Sequence, residues 1–304
     1  MFLAADLAVI SLRALTFVAL FMAVGTWIFV ALWERDLAPE QAERIRNVAR
    51  AAAVVALIVT VIHYVLSPAR MAGSFGSTFD PSLEALLLQS SSGPASIARV
   101  VGLALLALSL DRATKLNTIG AGIGATLALA SFAFGGHTSI HPLWFVLGPL
   151  LLVHVAAAAF WFGALWPLFA AAGEGPPQRA GLLLEQFTRL AIRIVPLVLL
   201  AGVGMSVVFV RSLAELATAY GAMLIAKTVG FSACMALAGL NKGRFAAAVA
   251  AGNERATWAF RRIVAAEWAL IVVILVTTAV MTSLYAPEHL EGAFGAGHSA
   301  EPTH

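Results

Sequence analysis

The stretch at residues 143–169, LWFVLGPLLLVHVAAAAFWFGALWPLF, decides what kind of protein this is. It contains no Asp, Glu, Lys or Arg, and its one ionisable side chain is His154. A helix of that length rises about 40 Å, more than the ~30 Å of a bilayer's hydrocarbon core. The rest of the chain agrees. Of its 304 residues 61% are hydrophobic and 12% charged, with a mean hydropathy of +0.90. Soluble domains carry about a quarter charged residues, so a soluble globular fold is excluded. A net charge of +3 is too small and too localised to suggest nucleic acid. The single cysteine, Cys234, lies in an apolar run and reads as a small core residue. It excludes a disulfide framework and any Cys-based zinc or iron–sulfur site.

Working outward from that stretch, comparable apolar runs place spans at 7–33, 51–66, 95–110, 118–134, 143–169, 190–210, 217–240 and 263–284. The expected fold is all-α: a polytopic membrane protein with about eight transmembrane helices in one domain over 1–287. The polar tail 288–304 is expected to be disordered. The N-terminal run reads as a span rather than a removable signal, because Arg13 interrupts it and it continues to Trp33. Basic residues then set the orientation. Fourteen of the 19 Lys and Arg residues fall in the linkers after spans one, three, five and seven. Such linkers face the cytoplasm, which puts both termini in the periplasm of a bacterial inner membrane. The exceptions are Arg13, Arg70, Arg99, Arg211 and Lys227.

With this orientation no histidine falls in a cytoplasmic linker. His63 sits about one turn from the outer end of the second span. His137 and His141 lie in the outer linker Gly-Gly-His-Thr-Ser-Ile-His-Pro, where Pro142 biases His141 away from helical geometry. His154 lies twelve residues past Pro142, about 18 Å along its span. His289, His298 and His304 are in the tail. An ionisable group in hydrocarbon needs a partner and marks a functional candidate. The plainer readings are a solvated loop pair for His137 and His141, an interfacial anchor for His63, and a hydrogen bond to a neighbouring helix for His154. Met71, Met205, Met223 and Met281 map to the outer half. Thioether and imidazole together suit copper better than magnesium or calcium, although methionine also simply fills gaps in helix packing. Lys227 and Glu267 lie within spans seven and eight and are expected to pair, fixing helix register or coupling protons.

Two segments carry a family resemblance. The first is Gly136-His137 followed by His154-Val-Ala-Ala-Ala-Ala-Phe160-Trp161-Phe-Gly163-Ala-Leu-Trp166-Pro167. The second runs from Tyr220-Gly221 through Lys227, Leu237-Ala-Gly-Leu-Asn241-Lys242, Phe260-Arg261-Arg262 and Glu267 to Pro287. Together they resemble the CopD family of copper-resistance membrane proteins, over roughly residues 130 to 287. The resemblance implies an eight-helix inner-membrane protein of copper uptake or export, often accompanied by a periplasmic copper-binding CopC protein. No CopC-like domain is evident here, so such a partner is expected to be a separate chain. The reading is copper transport rather than catalysis, with membrane lipid as the surroundings and Cu(I) favoured as cargo. The ligand candidates are His63, His137, His141 and His154, assisted by Met71. A second reading is a haem b electron-transfer protein with His63 and His154 as axial ligands, which a Soret band would reveal. A third, a membrane sensor or scaffold, has no signalling domain to support it. No phosphate-binding loop motif is present, so direct use of ATP is not expected.

Overall fold

The computed structural model describes residues 2–135, 139, 141–174, 176–210, 212–241 and 245–285, without the side chains of residues 2–5 and 246. The helices are α1 (Phe2–Trp33), α2 (Pro39–Val65), α3 (Ser67–Ala72), α4 (Pro81–Gln89), α5 (Ser92–Ser109) and α6 (Lys115–Ala130). They continue as α7 (Trp144–Gly173), α8 (Pro177–Phe209), α9 (Ala219–Leu240), α10 (Ala246–Ala250) and α11 (Glu254–Leu284). No strand occurs among the described residues, and seven helices are long and apolar enough to cross a membrane. The protein is an all-α, multi-pass membrane protein. The expected fourth span is present as α6, but its 16 residues rise only about 24 Å. It lies along α5 and is too short to cross a typical bilayer upright.

Local sequence explains where helices start. Pro39 begins α2 at a position where its missing N–H costs nothing. Thr114, Thr218 and Asn253 cap α6, α9 and α11 with side-chain oxygens. Asp80 caps α4. Hydrogen bonds from the Ser82 hydroxyl and the Ser82 and Leu83 N–H groups hold its carboxyl below the usual carboxylate range. Several helices outrun their apolar stretches. α8 starts at Pro177 rather than near 190, and this extension buries Ala180, Leu183 and Leu184 while exposing Arg179 and Arg189. The extensions and linkers at this end are tied by Arg44–Glu174 (2.7 Å), Arg50–Asp111 (2.6 Å) and Arg46–Glu34.

α1 is the central helix, packed against α2, α7 and α11, with Leu20, Ala23, Val24 and Phe29 fully buried. Its crossing with α7 depends on a glycine pair. A Cβ on Gly25 would stand 1.8 Å from the Ala159 carbonyl oxygen, and one on Gly163 would stand 2.4 Å from Gly25. The Thr26 hydroxyl donates to the Gly163 carbonyl at 3.0 Å across the same contact. Small residues and a polar link are what brings helices together in lipid, where burial of apolar surface drives little. This crossing fixes α7, and with it His154.

Candidate metal centre

His154 lies ten residues into α7, about 15 Å from its start. Its Nδ1 is 2.8 Å from the Val198 carbonyl oxygen on α8, so Nδ1 carries the hydrogen and donates. That tautomer leaves the lone pair on Nε2, the nitrogen not engaged by Val198. A ring held through one nitrogen by a backbone carbonyl, with the other nitrogen free, is how metal-binding histidines are usually oriented. Gly202, one turn beyond Val198, faces the ring closely: a Cβ there would lie in van der Waals contact with it at 3.4 Å. The Lys227 ammonium on α9 acts electrostatically on the same ring. Lys227 is eight residues into α9, about 12 Å, a depth close to that of His154.

His141 sits just ahead of α7, 8% exposed, with its ring edge-on to Phe209 at 5.9 Å. Its Nδ1 accepts the Leu143 N–H at 3.1 Å, at the entry to α7. His141 therefore offers a metal its Nε2 only after changing tautomer. His137 and the three tail histidines lie outside the described residues. Met71 is 49% exposed on α3, at the same end of the bundle.

His63 has different surroundings. It lies two residues before the end of α2, and the charges of Arg13, Arg99 and Arg70 all act on it. Arg13 on α1 donates to the Thr282 carbonyl at 3.0 Å. Arg70 on α3 pairs with Asp6 at 3.1 Å and donates to the Ser283 carbonyl at 2.6 Å. Arg99 on α5 donates to the Ser131 hydroxyl at 2.9 Å and stacks on the Phe132 ring at 4.7 Å. His63 Nε2 is buried without a hydrogen-bond partner. His63 thus faces α1, α3 and α5, whereas His154 faces α8 and α9. Nothing described brings the two rings to opposite faces of one haem.

The expected Lys227–Glu267 pair does not form. Glu267, 2% exposed on α11, accepts from Asn241 Nδ2 at 3.1 Å and from the Trp161 indole. Asn241 follows the last residue of α9, 14 residues from Lys227, so about 21 Å separates the two along that helix. The antiparallel register of α9 and α11 thus gives Glu267 an amide partner and Lys227 no carboxylate among the described residues. The sequence reading quoted Asn241 and Trp161 only within the family resemblance and did not join them to Glu267, and it missed the arginine group. The signal for the last was that Arg13, Arg70 and Arg99 fall outside the basic linkers. Among the described residues, no three His, Cys, Asp or Glu side chains converge as a metal cage. What the bundle offers a metal is a single oriented imidazole at mid-depth.

Residues 4–144 match the family described as Copper resistance protein D-like, N-terminal domain, and residues 181–281 match Copper resistance protein D. The Copper transport protein CutJ of Bacillus subtilis (strain 168) is 26% identical over 289 residues, which is 90% of this chain and 52% of that protein. The chain spans about half the length of the curated relative it matches. No solved structure matches it.

Proposed function

Because the chain belongs to the copper resistance protein D family, we propose that it moves copper across a bacterial inner membrane, with His154 as the intramembrane ligand. The observation that carries this reading is the His154 ring, fixed by the Val198 carbonyl with Nε2 left open. A neutral imidazole binds copper without adding charge to the low-dielectric interior, and Cu(I) is satisfied by two to four soft or borderline ligands. Copper is collected at the periplasmic end by His137 and His141, with Met71 assisting, and passes from there to His154. His63 is left off this route, because three guanidinium charges oppose a further cation beside it. Lys227 acts on the His154 ring with the same sign as the cargo, which limits how tightly copper is held and favours its onward release. A CopC-like protein in the periplasm is the natural donor.

The test is His154→Ala at matched expression, reading copper bound per purified protein and copper accumulated per cell. Copper accumulated per cell should fall to the level of cells lacking the protein, and tight binding to the purified protein should be lost. Binding and movement like the unaltered protein would overturn the reading.

A further inference from the structure

We propose that the cluster of Arg13, Arg99, Arg70 and His63 is a phosphate-binding site. Its position is unusual for so much charge. Arg13 lies eleven residues into α1, and Arg99 seven residues, about 10 Å, into α5. Both are on helices apolar enough to cross a membrane. A charge at such a depth is costly unless an opposite charge meets it. Among the described residues only Arg70 has a carboxylate, that of Asp6. Arg13 is left with a carbonyl, and Arg99 with a hydroxyl and an aromatic face. With His63 neutral, three guanidiniums against one carboxylate leave two positive charges uncompensated among the described residues.

The unmet hydrogen-bonding groups point the same way. His63 Nε2 and the Ser283 hydroxyl oxygen are buried at this end without partners. Guanidinium forks, a hydroxyl and an imidazole N–H outnumber what one carboxylate can accept. A phosphate, with several acceptor oxygens and one or two negative charges, fits both the donors and the charge. The elements that supply these groups, α1, α2, α3, α5 and the end of α11, converge here independently of the His154 pocket. Because the site lies within headgroup reach of one membrane face, the phosphate is either that of an anionic phospholipid or free inorganic phosphate.

The experiment uses the full chain, purified and delipidated in a neutral detergent. Its thermal midpoint is followed with inorganic phosphate against chloride at equal ionic strength, and in nanodiscs of phosphatidylglycerol against phosphatidylcholine. Retained lipid is counted by native mass spectrometry. Saturating phosphate ligand at about a hundredfold excess over Kd should raise the midpoint by roughly 5 °C. Protection by phosphatidylglycerol with one retained lipid assigns the site to a headgroup. Protection by inorganic phosphate alone assigns it to the free ion. Arg99→Gln and Arg13→Gln should abolish the protection, and Arg99→Lys should keep part of it. Equal midpoints in all four media, or full protection in the glutamine variants, would overturn the proposal. The unaltered protein alone decides the first point, so a variant that fails to fold does not rescue the idea.

Discussion

His154 and His63 are the same residue type in the same kind of apolar helix, yet the bundle gives them opposite environments. His154 is anchored through Nδ1 to a carbonyl on α8, leaving Nε2 free to bind. His63 is ringed by Arg13, Arg70 and Arg99, with Nε2 buried and unmet. On the two proposals above, one site takes a cation and the other an anion. A histidine in a membrane span thus marks a functional candidate, but the helices packed against it decide the sign of what it binds.

The largest expected effect is the loss of copper from the His154 pocket. With one imidazole supplying the principal donor, His154→Ala should weaken binding by about 100-fold or more, since disturbing a partner of a ligand already costs 10- to 100-fold. Equilibrium dialysis against a Cu(I) chelator reads this directly. A loss under tenfold would make the two histidines equivalent and break the comparison.

Lys227 sharpens it next. Its ammonium acts on the His154 ring and meets no carboxylate within 4 Å among the described residues. At an effective dielectric near 20, like charges on neighbouring helices oppose each other by on the order of 1–2 kcal/mol, about tenfold in affinity. Lys227→Gln should therefore tighten copper binding by about that factor and slow its release. Weaker binding in that variant would mean that Lys227 supports the site rather than opposing the cargo.

A smaller effect is expected at Gly202. An added methyl there lies 3.4 Å from His154 Cε1 and 3.6 Å from Nδ1, at the close edge of van der Waals contact, so the ring keeps its bond to Val198 with at most a slight adjustment. Gly202→Ala should cost no more than about two- to threefold in copper affinity, well below the loss of a whole orienting partner. A loss above tenfold would show that the ring position tunes the site more finely than its bond to Val198 does.

How much of this was legible in the sequence follows from what hydropathy and charge measure. The all-α, multi-pass fold is evident in runs such as residues 143–169, because a bilayer imposes length and apolarity on each segment. Helix ends were less legible. The first turns of α8 and α11 leave the apolar runs and read as linker, although Ala180, Leu183 and Ala256 bury a helical face there. Position along a helix was legible and register between helices was not. Lys227 and Glu267 each lie within a span, but only the packing of α9 on α11 sets Asn241, about 21 Å further along, beside Glu267. The arginine pocket draws on five separate helices, and no local pattern announces it. The departure of its three arginines from the alternate basic linkers was the trace it left.

The smallest expected effect on copper is at His63, and it separates the two pockets most cleanly. His63→Phe keeps a planar ring of similar size while removing both nitrogens, so packing between α2 and α5 is largely retained. If His63 is no copper ligand, copper bound per protein and copper accumulated per cell should stay within about twofold of the unaltered chain, the range expected when no ligand or its partner is touched. The same variant removes one donor from the arginine pocket and should lower the protection conferred by phosphate or phosphatidylglycerol without abolishing it, since the three guanidiniums remain. The two readouts move independently only if the pockets are distinct. A drop in copper binding comparable to that of His154→Ala would place His63 back among the copper ligands. It would also mean that the arginine charges around it are neutralised by something other than a phosphate.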